Sequence, residues 1–465
     1  MAVSSELEGL QHVEPSRFIA FSFPNPLLNH ASDPYTHGDQ EFLRVAVLDD
    51  HSPPHLAPRT AAMLVPAGRH RDWIFSTRAG HLHLLLSSRS QCHHLSRLIL
   101  VGPELSAPSP PRVVVAAAAA RPDPDPAHAR LLPLLLALCP RAAFGGNAIP
   151  DVPLLSFHDD LLRLAPVKVV TGPVVGEMVV EDVAVDCAPQ PVELHRRLRF
   201  KRMPFLVQTQ VRIVRQPSPG DSSMLEALDE VGGGSLQPEV GGELVQPYLQ
   251  AMAAGLAVIA LSMDESFRLG NKPRCLCAGI GGGALLMSIR MGLQCDVLGI
   301  EADGVVLDVA RSHFGLVVDE FLQVCVGDAI QMIQDFAHQG EPDTNFSAIM
   351  VDLDSSDAIC GVSAPPLEMT QESILLAART ILHHDGALIL NVIPPAADGS
   401  FYKGLIDVLR HIFSELYEIN VGNGENFVLV ATVSPVETII ANSSGSIMME
   451  LRKLSGDFLE HITRI

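Results

Sequence analysis

Apolar and polar positions along the chain change rhythm once, near its middle. Up to residue 215 the apolar residues fall in short or alternating runs, LRVAVL at 43–48, SRLILVG at 96–102, VKVVTG at 167–172 and LVQTQVRIV at 206–214. A period of two in β-branched residues predicts strands, and long helical periods are scarce. Residues 1–215 are therefore expected to form a smaller β-rich or α+β accessory domain. From residue 244 the pattern becomes strand, turn, helix, repeated. The runs RCLCAGI (274–280), DVLGIE (296–301), LQVCVGD (322–328), SAIMVDLD (347–354) and ALILNVI (387–393) are each followed by a segment of helical period. That alternation predicts a parallel sheet covered by helices on both faces. Two last runs, LYEINV (416–421) and NFVLVATV (426–433), are separated only by GNGE. So short a link predicts an antiparallel hairpin. The expected architecture of residues 244–465 is thus α/β, a seven-stranded doubly wound sheet that ends in a hairpin.

Two stretches break the pattern. A Pro- and Ala-rich run near 104–130 reads as a loose insert, and QPSPGDSSMLEALDEVGGGSLQPEVGGE at 216–243 reads as a flexible linker between two domains. A length of 465 residues suits two cores.

The first strand of the second half runs into Gly279-Ile280-Gly281-Gly282-Gly283, with the helical segment ALLMSIRMG after it. Glycines let the chain turn sharply and let a ligand approach the backbone, and a helix start offers free N–H groups. Glu301 ends the second strand 20 residues after Gly281, the spacing at which an acid meets the ribose hydroxyls of an adenosine ligand. This much suits a dinucleotide equally, because Gly279-x-Gly281-x-x-Ala284 satisfies the dehydrogenase fingerprint. Three further features favour a methyl donor. The third strand ends in Gly327-Asp328-Ala329, where a class I, Rossmann-like methyltransferase sets an acid and a backbone N–H against adenine; the fourth ends in the acid cluster from Asp352 through Asp354 to Asp357; and the sheet closes with the hairpin. Each residue also has a plainer reading. Gly282 or Gly283 would serve packing, Glu301 would be a solvated strand end, and Asp328 would cap the next helix.

Charge and cysteines narrow the class. Residues 244–465 hold 27 Asp and Glu against 11 Lys and Arg, a net −16 of the chain's −21. Such a surface repels nucleic-acid phosphates and favours a basic partner. Eight scattered cysteines make no disulfide framework and suit a reducing, cytoplasmic setting. Cys275 and Cys277 read as core, and Cys92 with His93 and His94 as a surface loop, so no metal site is expected. The chain start has no secretory pattern, and the most apolar run, Leu131 to Cys139, is too short to span a bilayer.

Residues 244–465 resemble the spermidine-synthase-like branch of the methyltransferases, and in particular the C-terminal domain of the dual methyltransferases of translation elongation factor 1-alpha. The matching stretches are YLQAMAAGLAV (248–258), the glycine turn with LGIEAD (298–303), VGDA (326–329), AIMVDLDSSD (348–357) and ALILNVI (387–393). Upstream, VPAGRHRDWIFSTRAG (65–80) and VVEDVAVDCAPQPVELHRRLRF (179–200) resemble the segment that precedes that domain. The resemblance implies S-adenosylmethionine as cofactor, held by Gly279, Gly281, Gly282, Glu301, Asp328, Ala329 and Asp352. It implies methyl transfer to the N-terminal α-amine of the elongation factor, a basic protein substrate, with no lysine-directed activity. Asp352 would touch cofactor or amine, and Asp354 would contact substrate. Ala358 stands where the aminopropyltransferase acid motif often has Pro. Two alternatives remain open: a spermidine-forming aminopropyltransferase, because Asp354-Ser355-Ser356-Asp357 reproduces its acid pair, and a catalytically silent binding module.

Overall fold

The alternation in LRVAVL and SRLILVG serves two cores at once. In the computed structural model, β1 (Phe18–Pro24), β2 (Phe42–Asp49), β3 (Arg59–Leu64) and β4 (Leu95–Pro103) lie in one sheet with the short β6 (Leu154–Leu155), in the order β1-β2-β4-β3-β6. The two-residue β5 (Val114–Val115) belongs to the next sheet. Because side chains alternate faces along a strand, Val45 and Val47 pack with Leu131 and Leu135 of the helix Asp125–Ala137, whereas Ala46 and Leu48 pack with Leu84 and Leu85 of the helix Arg78–Ser87. β3 runs parallel to β4 and to β6, so this is a small mixed sheet covered by a helix on each face. The structure describes residues 10–27, 41–51, 58–66, 68–88, 91–93, 95–105, 114–115, 125–145, 148–157, 159–215, 236–239, 241, 243–340, 345–355, 363–394, 399–422, 426–436 and 445–465.

A second sheet, all antiparallel, follows the order β11-β10-β9-β8-β7-β5, from β7 (Leu161–Gly172), β8 (Gly176–Val185), β9 (Glu193–Phe200), β10 (Val207–Arg215) and β11 (Leu236–Pro238). Residues 1–215 thus contribute strands to two sheets, the second of them completed by Leu236–Pro238. Two details of the boundaries differ from the expected ones. The helix Asp125–Ala137 starts inside the stretch read as a loose insert, its period hidden by Pro133 and by the Pro-rich run before it. Of the expected linker, residues 216–235, 240 and 242 lie outside the described residues, and Leu236–Pro238 forms β11 against Ile213–Arg215.

One face of the second sheet rests on the helical cover of the third, C-terminal sheet. Met178, Val180, Leu198, Phe200 and Val211 share a cluster with Val306, Val309 and Phe314. Its other face meets the first sheet through buried charge. Glu181 binds Arg197 and Arg199, and Arg199 reaches Asp72 at 3.0 Å, which is in turn held by Arg69 at 2.7 Å. Burial pushes the Glu181 carboxyl up, but Arg197 and Arg199 outweigh it and hold it below the usual range.

The third sheet has eight strands in the order β14-β13-β12-β15-β16-β18-β17-β19. β12 (Arg274–Ala278), β13 (Asp296–Glu301), β14 (Leu322–Val326), β15 (Phe346–Val351) and β16 (Leu382–Val392) are parallel. β17 (Glu415–Asn420) and β18 (Phe427–Thr432) form the antiparallel hairpin, with β18 inserted beside β16. This is a Rossmann-like α/β fold. It exceeds the seven expected strands by one, since Ile462–Arg464 adds β19 along β17 at the chain end. Three residues carry too little periodicity to announce a strand.

Pro247–Arg268 comprises two helices joined by a 3-10 turn. By length and composition it is apolar enough to cross a membrane, yet 67% of its most apolar window is buried. A Cβ on Gly255 would lie 2.9 Å from Val430 of β18 and 3.3 Å from Ile389 of β16, so the segment packs on the sheet as core.

Candidate functional site

Sheet order brings the acids and the glycine turn to one edge. β14, β13, β12 and β15 are successive neighbours, and their carboxyl ends carry Asp328, Glu301, the glycine turn and Asp352. The glycines have separate tasks. Gly279 has φ 82°, and a Cβ there would sit 2.2 Å from the Asp352 carbonyl oxygen, so the turn presses on the next strand end. Gly281 and Gly282 face β10 instead. A Cβ on Gly281 would be 2.5 Å from Thr209 Oγ1, and the Gly282 N–H donates to that same hydroxyl at 2.6 Å. The Gly282 amide thus meets the second sheet through Thr209.

Glu301 is buried at the end of β13. Its carboxylate accepts the N–H of Ile280 at 3.3 Å and of Asp303 at 3.1 Å. Burial raises its pKa, against the lowering effect of these backbone donors. Two residues on, Asp303 is fully buried and works in two directions. Oδ1 caps the helix Gly304–His313 by accepting from Val305 N, and Oδ2 accepts from Val174 N at 2.8 Å and Val175 N at 3.0 Å. The turn between β7 and β8 is thereby pinned beside Glu301.

Asp328 is exposed and caps the helix Ala329–Gln339, Oδ1 accepting from Ile330 N and Gln331 N. The plainer capping reading describes what one of its oxygens does. Ala329, buried, opens that helix.

The two acids after β15 have different company. Asp352 is held by two neutral donors, Tyr248 Oη to Oδ2 at 3.2 Å and Asn391 Nδ2 to Oδ1 at 2.9 Å. Burial pushes its pKa up to about 6, despite those hydrogen bonds. Burial and the Asp352 carboxylate together push the Tyr248 hydroxyl well above its ordinary pKa, so it stays a donor. Asp354 instead forms an ion pair with Arg202, Nη2 to Oδ2 at 2.8 Å, and Arg202 Nη1 also reaches the Ser355 carbonyl at 3.1 Å. Arg202 lies in the turn between β9 and β10, so the second sheet reaches across to this strand end. Asp357 and Ala358 lie outside the described residues, as does the 360–362 part of the loop 360–366 read as a wall of the substrate groove.

Sequence reasoning missed Thr209 and Arg202, and saw Tyr248, Asp303 and Asn391 only as parts of matching runs. Asn391 had a readable signal, one amide in the otherwise apolar ALILNVI. The others become visible only when the second sheet docks.

No protein-family model matches the chain. Among curated proteins it is 28% identical over 399 residues to the eEF1A lysine and N-terminal methyltransferase of Danio rerio, covering 84% of this chain and 54% of that protein. With the Homo sapiens protein of the same name it is 25% identical over 395 residues, covering 82% and 52%. Among solved structures, human methyltransferase-like protein 13 in complex with SAH aligns at 26% identity and a TM-score of 0.39, covering 45% of this chain and 90% of that one. A probable spermidine synthase from Corynebacterium glutamicum aligns at 14% identity and a TM-score of 0.42, covering 64% and 89%. Along about four fifths of its own length the chain is similar to the eEF1A lysine and N-terminal methyltransferases, and it spans about half of theirs.

Proposed function

We propose that this chain transfers methyl groups from S-adenosylmethionine to the N-terminal α-amine of translation elongation factor 1-alpha, with residues 244–465 as the catalytic domain and the two preceding sheets as its accessory part. What carries the reading is Asp352, a half-buried carboxylate held by neutral donors at the end of a central strand, in a chain similar to proteins named for that activity. We read the substrate as a basic protein met in a cytoplasmic setting. The −16 charge of residues 244–465 supports the first part and the free cysteines among the described residues support the second.

The residues fit the cofactor. Glu301 keeps lone-pair capacity beyond the backbone donors of Ile280, Gly281 and Asp303 and is suited to a ribose diol. Gly279 and Gly281 supply the turn, Asp328 has a second oxygen for an adenine amino group, and Ala329 opens the adjoining helix. When bound, S-adenosylmethionine supplies a methyl group on a positively charged sulfur. The chain's own task is to align an unprotonated amine and remove a proton from it. An α-amine with a pKa near 8 is already partly neutral at cytosolic pH, so a strong base is not needed and a carboxylate suffices. Asp352 has that role. Asp354, already paired with Arg202, lines the substrate side, and the same pairing disfavours the diamine-gripping alternative.

Incubated with S-adenosylmethionine, the chain is expected to methylate elongation factor 1-alpha bearing a free N-terminus, as read by mass spectrometry of the N-terminal peptide. An unmodified peptide overturns the substrate, and spermidine formed from putrescine and decarboxylated S-adenosylmethionine overturns the reaction. Replacing Glu301 with Ala is expected to weaken S-adenosylmethionine binding about 10- to 100-fold by calorimetry, the usual worth of a hydrogen bond to a charged group. Unchanged affinity would remove Glu301 from the site.

A further inference from the structure

Asn391 has a feature that the packing of β16 does not explain. The residue is 3% exposed, and its Nδ2 donates to Asp352 Oδ1 at 2.9 Å. That bond fixes the amide, because the reverse orientation would set its carbonyl against a carboxylate oxygen. Oδ1 is then left buried with no hydrogen-bond partner. A buried carbonyl oxygen in this state destabilises the fold unless something donates to it.

Its position says what the donor is. Val351 of β15 pairs with Leu390 of β16, so Asp352, just past the end of β15, lies beside Asn391, the next-to-last residue of β16, at the edge that carries the candidate site. A carboxylate and a neutral carbonyl next to each other make a cradle for two N–H bonds.

We infer that Asn391 is a substrate-contacting residue: its Oδ1 accepts one N–H of the acceptor amine while Asp352 accepts the other. The inference rests on the amine-methylating reading above. A neutral primary amine has two N–H bonds and one lone pair, and fixing both bonds fixes the direction of the pair. As that pair forms the N–C bond and the methyl–sulfur bond breaks with its electrons staying on sulfur, the nitrogen becomes cationic and Asp352 takes one of its protons. Asn391 accepts throughout and changes no charge. A secondary amine has a single N–H, which goes to the charged acceptor. Asn391 then contributes nothing, and this separates substrate contact from mere support of Asp352.

The test uses the full chain with Asn391→Leu, close in volume, and Asn391→Ser, which keeps a donor for Asp352 but withdraws the carbonyl. With an N-terminal peptide of the elongation factor, kcat/KM is expected to fall about tenfold for the free α-amine and less than about twofold for the N-methylated one. A second readout needs no turnover. Glycinamide and N-methylglycinamide are titrated by calorimetry into protein saturated with S-adenosylhomocysteine. The unsubstituted chain is expected to prefer glycinamide, and both variants to lose the preference. Equal losses on the two peptides, or a chain that never distinguishes the two probes, overturn the inference. If the peptide is not methylated but the glycinamide preference depends on Asn391, the substrate reading fails and the amine cradle stands.

Discussion

Asp352→Asn is expected to lower kcat on the elongation factor about 100-fold while making the protein more stable at pH 8. The two effects have one origin. Asp352 is half-buried, and its pKa is pushed up to about 6 because partial burial disfavours the charged form. The folded protein therefore holds that proton more tightly than the unfolded chain does, and stability falls as pH rises from about 4 to about 6, then stays low. A shift of roughly two units corresponds to about 3 kcal/mol, so an amide, which never ionises, is expected to recover about 1–3 kcal/mol above pH 6 and nothing below pH 4. Urea unfolding at pH 4 and pH 8 measures the difference. Catalysis runs the other way, since an amide cannot take the proton that leaves the methylated nitrogen, and loss of a positioned base typically costs 10²–10⁴ in rate. The pH profile gives a further check. In the unsubstituted chain kcat/KM is expected to rise through about pH 6 as Asp352 ionises and again toward pH 8 as the amine deprotonates, and the Asn variant is expected to lose the lower step. A variant that keeps full activity would remove Asp352 from the chemistry.

The central sheet was readable because each strand ends at a recognisable residue and each helix has a period. Local order fixes the position of Glu301, Asp328 and Asp352 at successive strand ends, and parallel topology then gathers them without any help from side-chain detail. What local order cannot supply is the partner that comes from elsewhere. Gly281 and Gly282 look like ligand-binding glycines in the sequence, yet their open space is filled by Thr209, a residue more than 70 positions earlier on another sheet. Asp354 looks like a free acid until Arg202 arrives from the β9–β10 turn. The start of the helix Asp125–Ala137, which covers the N-terminal sheet, reads as loose insert in the sequence for a related reason. The helix has Pro133 inside it and follows a Pro-rich run, two signals that normally end helices. Burial of Leu131, Leu135 and Leu138 against β2 and β4 outweighs that local penalty.

The same N-terminal sheet holds the second large effect. Arg97 of β4 is 0% exposed, directly opposite Asp49 of β2, also 0% exposed. Its guanidinium binds both Asp49 oxygens, at 2.6 and 2.9 Å, and three carbonyls, those of Leu10, Leu138 and His12, at 2.6, 2.7 and 2.9 Å. One side chain thus ties the chain start and the end of the covering helix to the sheet centre. Arg97→Met roughly keeps the volume but leaves a buried carboxylate without its main counter-charge and the Leu10 and Leu138 carbonyls without donors, while the His12 carbonyl keeps Arg17 at 2.8 Å, so it is expected to cost about 3–5 kcal/mol, or about 10 °C in Tm. Arg97→Met combined with Asp49→Leu removes the stranded charge, since a buried pair replaced by apolar side chains is often close to neutral. The double variant is expected to regain part of the loss and not all of it, because the Leu10 and Leu138 carbonyls still have no donor. A double-mutant cycle by urea unfolding reads the coupling directly. Additive losses would mean that Asp49 is held well enough by the Glu14 N–H at 3.0 Å and by Arg17 at 3.4 Å, and that Arg97 serves the carbonyls alone.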